Sequence, residues 1–203
     1  MSTEPNLPLS ESEHSATMQT MQAEMRAKMM AAKEKRGLII VNTGNGKGKT
    51  TAGFGVLLRT LAHGGKAVVI QFIKHLPDAV EKLLRSPNMV WHAVGGGFTW
   101  DTQDRAGDIA LCEKGWALAE AAMRDPDVDL VLLDELNIVL RYDYLPWTKI
   151  AEGLKGKPEM QHVIITGRDA PEALVEVADL VTDMGEVKHP FATGVKAQRG
   201  IEC

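Results

Sequence analysis

A chain of 203 residues, 44% hydrophobic and 25% charged, suits one ordinary globular domain and leaves little for a second. Its formal net charge of −4 supplies no global basic field for nucleic acid, so a polyanionic ligand needs a local basic pocket. Cys112 and Cys203 stand far apart, the six histidines are scattered, and no apolar run approaches the ~20 residues of a bilayer span, which argues against a disulfide framework, a zinc site and a membrane helix. Glu4, Glu11 and Glu13 occupy the stretch that would be basic and then apolar in a secretory leader, so a cytoplasmic location is expected.

Residues 1–15 are polar, with Pro5 and Pro8, and read as an irregular tail. Residues 16–36 read as a helix with Met18, Met21, Met25 and Met29 on one face. A helix this short is marginal alone and needs a surface to lie on. From Gly37 onward strands and helices alternate. A strand is predicted at 38–42, then a Gly-rich loop, then a helix from Thr50 with a buried stripe of Phe54, Leu57, Leu58 and Leu61, stopped at Gly64-Gly65. Further strands are predicted at 67–73, 89–94, 128–133, 162–166 and 180–183. Helices are predicted at 78–85, 106–123, 147–154 and 171–177. The stretch 128–133 is wholly apolar and therefore central. This alternation predicts an α/β domain, residues 37–203, with a mostly parallel sheet covered by helices on both faces.

The loop reads Thr43-Gly44-Asn45-Gly46-Lys47-Gly48-Lys49-Thr50-Thr51. Glycines let successive N–H groups turn toward phosphate oxygens, and the following helix adds its positive end. Lys49 is placed to neutralise phosphate charge and Thr50 to offer a hydroxyl to Mg²⁺. Each charge-assisted hydrogen bond contributes roughly 1.5–3 kcal/mol, so four or five support micromolar binding, which needs about 8 kcal/mol. The usual pattern G-x-x-x-x-G-K-[ST] has glycine where Thr43 stands, and glycine comes one place later at Gly44, which implies a shifted cradle. The segment Asp129-Leu130-Val131-Leu132-Leu133-Asp134-Glu135 resembles a Walker B strand, whose terminal acid holds Mg²⁺ directly or through water. Both motifs fall at the carboxyl end of a strand, where open α/β sheets bind ligands.

Other candidates on that edge are Phe98 and Trp100, two aromatics on a Gly-rich loop, and Arg168, which follows a strand. Arg59, in the helix after the loop, is a further candidate for the nucleotide. The tail carrying Lys188, His189 and Lys196 either covers the nucleotide or is solvated.

Together the segments RGLIIVNTGNGKGKTTAGFG, VVIQFIK, GFTWDTQ, LVLLDEL, YDYLP, VIITGR and VKHPFATGVKAQRGI resemble the ATP:corrinoid adenosyltransferases of the CobA/BtuR type. The similarity runs from about Arg36 to Ile201, and Gly44 in its shifted place is itself a family feature. The resemblance implies a P-loop NTPase-like α/β fold and a homodimer. It implies that a Co(I) corrinoid attacks the 5′-carbon of ATP and inorganic triphosphate leaves, in adenosylcobalamin biosynthesis or salvage. It assigns Asn45, Gly46, Gly48, Lys49, Thr50 and Thr51 to the triphosphate and Glu135 to the neighbourhood of the metal; the two motifs themselves add Gly44 and Lys47 to the nucleotide site, and Thr50 and Asp134 to the Mg²⁺ or Mn²⁺ site. Phe98 and Trp100 would exclude the lower axial ligand of the corrinoid, residues 1–36 would supply a tail and a lid helix, and a reduced flavoprotein would donate the electron. The rival readings are a P-loop ATPase or kinase, which leaves the aromatic loop unused, and a non-catalytic ATP-binding module.

Overall fold

The computed structural model describes residues 10–97 and 104–201. The chain divides into two compact units, Met1–Lys35 and Arg36–Cys203.

The first unit carries helix α1, Glu11–Ala31. It starts within the stretch expected to be irregular because Ser10 and Glu13 form a capping box: Ser10 Oγ accepts from the Glu13 N–H, and Glu13 Oε2 accepts from the Ser10 N–H at 3.0 Å. It also ends short of the expected Arg36. Ala32 is already extended, at ψ 106°. No residue of α1 is buried, and the methionine row Met18, Met21, Met25 and Met29 is exposed along it.

In the second unit Arg36 pairs with Asp179 at 2.6 Å, and the chain enters the sheet. The six strands are β1 Ile39–Thr43, β2 Ala67–Gln71, β3 Met89–Ala93, β4 Leu130–Asp134, β5 His162–Thr166 and β6 Leu180–Asp183. Their order is β3-β2-β4-β5-β1-β6, and every pairing is parallel. Helices α2 Lys49–Ala62, α3 Glu81–Leu84, α4 Arg105–Arg124, α5 Leu136–Arg141, α6 Trp147–Lys155 and α7 Glu172–Val177 connect them, and a 3₁₀ turn at Pro190–Thr193 follows β6.

Parallel strands buried on both faces read as near-continuous apolar runs, because successive side chains serve opposite faces. In β4, Leu130 and Leu132 join Val69, Ile164 and Leu57 of α2 on one face. Val131 and Leu133 join Ile70, Ile165, Trp116 of α4, Leu136 of α5, Ile150 of α6 and Leu174 of α7 on the other. β4 lies between β2 and β5 with all five residues buried, as its composition predicted. The stripe expected on α2 is narrower than its spacing suggests: Leu57 is fully buried, but Leu58 is 55% exposed. Leu58 projects to the flank of the helix, and only the Gly53–Leu57 side faces the sheet. Gly53 permits that approach, since a Cβ there would press on Leu132 Cδ1 at 3.0 Å. Helix α5 was not expected: Glu135, the residue before it, is left-handed and no side chain caps the helix, so no start signal marks it.

Candidate functional site

Because all strands run one way, their carboxyl ends share one edge of the sheet. There Gln71 of β2 lies opposite Asp134 of β4, Asn42 of β1 opposite Thr166 of β5, and Thr43 opposite Asp183 of β6. Most of this edge is buried although polar, namely Asn42, Thr43, Gln71, Asp134 and Thr166, while Asp183 at its margin is exposed. Buried polar groups must be hydrogen-bonded, and here they are bonded to one another and to the loop.

The loop between β1 and α2 turns on Gly44, at φ 93°, and Gly48, at φ 109°. A side chain at Gly44 would also collide with Asp183 Oδ1 and the Met184 carbonyl, so both conformation and space call for glycine. The segment after β6 props the loop from below. The Gly46 N–H donates to the Met184 carbonyl at 2.6 Å, and the Met184 N–H to the Thr43 carbonyl at 2.9 Å. The place that glycine holds in the usual pattern is the last residue of β1, and Thr43 puts its side chain to use. Its Oγ1 accepts from the Ala170 N–H at 3.1 Å and ties down the turn that carries Arg168. No side chain caps α2 at Gly48, which leaves the first-turn N–H groups directed at an anion.

Lys49 opens α2 and is 8% exposed. Its Nζ donates to the carbonyls of Gly44 at 2.7 Å and Gly46 at 2.6 Å, so the ammonium sits inside the loop it closes. Burial holds its pKa below the ordinary lysine value. The Glu135 carboxylate opposes that shift, and Arg168 and Lys47 add to it. A desolvated cation with Arg168 and Lys47 in range, beside the carboxylates of Glu135 and Asp183, suits a polyphosphate. Asn45 and Lys47 are exposed at the loop's crest, and Thr51 is exposed on the first turn of α2.

Thr50 donates its hydroxyl proton to Asp134 Oδ1 at 2.8 Å. Thr166 Oγ1 donates to the same oxygen at 2.8 Å, and Gln71 Nε2 to Oδ2 at 2.8 Å. Asp134 is thereby committed to holding its neighbours, with its three donors fixing the carboxylate plane. Glu135, the next residue, is left-handed at φ 64°, a conformation that costs of order 1–3 kcal/mol in a non-glycine residue. The twist turns its carboxylate away from the strand toward Lys49, Lys74 and Arg168, the cations whose fields it feels. Thr166 accepts from the Glu135 N–H at 3.1 Å and stabilises that turn. Burial, and next the Asp134 carboxylate, push the Glu135 pKa above the ordinary value of 4.5, while the three cations pull it back.

That shift has a checkable consequence. A carboxyl whose folded pKa is raised favours the fold below the ordinary Glu value and loses that contribution as pH rises through the raised one. Glu135→Gln removes the buried charge. The variant, without nucleotide or metal, is expected to unfold at a higher temperature than the parent at pH 7.5, the gap closing as pH falls toward 4.5. Thermal unfolding across pH measures this. Activity of the same variant is expected to fall by at least about tenfold.

Arg168 is exposed and reaches the loop, with Nη2 to the Asn45 carbonyl at 3.5 Å. Arg59 is not brought to the site. It lies in the last turn of α2, and ten residues of helix carry it about 15 Å from Lys49. Phe98 and Trp100 lie outside the described residues. Residues 191–201 of the tail, including Lys196, are exposed. The site also holds residues that no motif flags. Gln71 and Thr166 end their strands, Asn137 donates to the Gly167 carbonyl at 2.8 Å, and Asp183–Gly185 support the loop. The readable signal for Gln71 was a lone amide inside the otherwise apolar run 67–73.

Loop, buried lysine and acid pair along one sheet edge place the chain among the P-loop nucleotide-binding α/β proteins. Residues 35–203 match the family of ATP:corrinoid adenosyltransferases BtuR/CobO/CobP. A corrinoid adenosyltransferase of Sinorhizobium is 51% identical over 183 residues, 87% of this chain and 86% of its own. One from Pseudomonas aeruginosa is 44% identical over 198 residues, covering 96% of this chain and 98% of its own, and the Salmonella typhimurium corrinoid adenosyltransferase CobA is 41% identical over 195 residues, covering 96% and 100%. The chain belongs to the ATP:corrinoid adenosyltransferase family.

Proposed function

We propose that the chain transfers the 5′-deoxyadenosyl group of ATP to the Co(I) centre of a corrinoid and releases inorganic triphosphate. The observation that carries this reading is the family match across residues 35–203, which spans the loop, the acid pair and every segment between them. In the step, the Co(I) lone pair forms a bond to C5′ while the C5′–O bond breaks and its electrons leave with the triphosphate. No proton moves, so no general base is needed. The protein's tasks are to align two reactants and to stabilise the departing charge. Lys49, Lys47, Arg168 and the uncapped N–H groups of the first turn of α2 serve the second task.

The residues fit a divalent cation, Mg²⁺ or Mn²⁺. Thr50 gives its proton to Asp134 and keeps its lone pairs, and Glu135 supplies a half-buried carboxylate at the same strand end. Mg²⁺ characteristically takes one or two such protein groups and completes its shell with phosphate oxygens and water. When bound, such an ion would neutralise triphosphate charge.

Phe98 and Trp100, by the family resemblance, face the corrinoid and displace its lower axial ligand, which eases reduction of Co(II). Trp100→Ala is expected to slow the reaction from Co(II) corrinoid by about tenfold more than that from chemically reduced Co(I). Equal losses in the two assays would remove the axial role. By the same resemblance, residues 1–36 supply a tail and a lid helix for the corrinoid, and methionines suit that role. A homodimeric state, a reduced flavoprotein donor and a cytoplasmic location complete the reading. Among the described residues no helix is long and apolar enough to cross a membrane.

The test is anaerobic incubation with ATP, Mg²⁺ and chemically reduced cobalamin, following the corrinoid spectrum and the phosphate products. Expected are a light-sensitive adenosylated corrinoid and stoichiometric triphosphate. ADP and phosphate with an unchanged corrinoid would overturn the proposal.

A further inference from the structure

We propose that Gln71 is a positioning residue for the cation and nucleotide site, acting through Asp134 on Thr50; this rests on the function proposed above. Gln71 is fully buried at the end of β2, opposite Asp134 in the sheet register. Two donors fix which way its amide faces. Oε1 accepts from Trp91 Nε1–H of β3 at 2.8 Å and from the Asp78 N–H at 3.1 Å. A flipped amide would set its NH₂ against both, so Nε2 must face Asp134, to which it donates at 2.8 Å. The segment that supplies the Asp78 N–H is itself held, since the Asp78 carboxylate takes Lys74 Nζ at 2.6 Å and the Val80 N–H at 3.1 Å.

The consequence reaches the site in two steps. A carboxylate turns easily about its last torsion. Gln71 pins Oδ2 of Asp134, which leaves Oδ1 aimed at Thr50 and Thr166. With Oδ1 fixed, the Thr50 hydroxyl has one direction in which to donate, and its lone pairs have one direction in which to meet a cation. The line Trp91–Gln71–Asp134–Thr50 thus joins the edge strand β3 to the head of α2. Gln71 touches neither nucleotide nor cation. It makes the hydroxyl ready for them, in the way that outer hydrogen bonds orient metal ligands.

The experiment is titration calorimetry of the full chain with ATP, with and without Mg²⁺, alongside thermal unfolding. Four variants are compared: Gln71→Met, which keeps volume and removes all three side-chain hydrogen bonds, Trp91→Phe, Thr50→Val, and Gln71→Met with Thr50→Val. Gln71→Met is expected to weaken Mg²⁺-dependent ATP binding about tenfold, the worth of one hydrogen bond to a charged group. Metal-free ATP binding should stay within about twofold of the parent. Trp91→Phe should shift the same quantity in the same direction by a smaller factor. In the Thr50→Val background Gln71→Met should cost nothing further, since its route to the cation is gone. Losses that multiply in the double variant would overturn the proposal, as would a lower unfolding temperature with the parent's Mg²⁺ dependence. Should Gln71→Met fail to fold, Trp91→Phe with and without Thr50→Val carries the same comparison. A parent chain that binds ATP without regard to Mg²⁺ would overturn the metal reading itself, and this inference with it. Parental Mg²⁺ dependence with multiplying losses overturns this inference alone.

Discussion

Lys49→Ala is expected to lower kcat/KM by at least 10²–10³-fold, the order seen when one preorganised donor to a developing oxyanion is removed, with ATP affinity falling alongside. The residue is 8% exposed, and its ammonium is already desolvated among the loop carbonyls of Gly44 and Gly46. A charge prepared in this way needs no reorganisation when triphosphate departs. Deleting the side chain removes a cation whose charged form burial disfavours, but it also takes the donor from the Gly44 and Gly46 carbonyls, so a stability loss of about 1–3 kcal/mol is expected. Calorimetry with ATP and steady-state kinetics read the effect, and a cooperative thermal transition well above the assay temperature excludes collapse of the fold. Lys47→Ala supplies the contrast. Lys47 is exposed at the crest of the loop, where solvent screens its charge, and a loss of no more than about tenfold is expected. Parental turnover in Lys49→Ala would remove the loop from the phosphate site.

The strands and the loop were legible because their signals are local. β5 and β6 fall where composition put them, β2 and β3 differ by one or two residues at one end, and β1 and β4 by one or two at both. Such shifts reflect where ladders stop, which depends on the partner strand. The capping box at Ser10 was equally local, and it is what starts α1 within the tail. The harder features are products of the sheet order. Asp183 lies far along the chain from Gly44, and only the β1–β6 pairing brings its turn under the loop. Gln71 becomes part of the site only because β2 and β4 are neighbours. Arg59 shows the converse, since a position near the loop in sequence is a helix length away in space. Glu135 was legible as an acid after an apolar strand. Its left-handed backbone, which separates its role from that of Asp134, was not.

That separation sets the expected outcome for Asp134. Its carboxylate accepts Thr50 and Thr166 on one oxygen and Gln71 on the other. Asp134→Asn keeps the volume but has one acceptor oxygen and one donor amide. If the amide oxygen stays toward Gln71, its NH₂ faces the two threonine hydroxyls. These can rotate to accept, so the fold survives with a cost of about 1–2 kcal/mol. Thr50 then spends a lone pair on the amide, and the direction of its hydroxyl, on which the cation depends, is reversed. Mg²⁺-dependent ATP binding is expected to weaken by about 10²-fold, the scale of losses on mutating outer partners of metal ligands. Metal-free binding should change little. Asp134→Ala leaves the three donors buried without acceptors and opens a cavity beside β4, at a cost of roughly 3–5 kcal/mol. Its unfolding temperature should fall by about 10 °C or more. Taken together, the two variants separate the structural work of the carboxylate from its aim. A larger loss of Mg²⁺ dependence than of stability in Asp134→Asn is the expected pattern. Equal Mg²⁺ dependence in parent and Asp134→Asn would mean that Asp134 holds the sheet edge together and has no part in binding the cation.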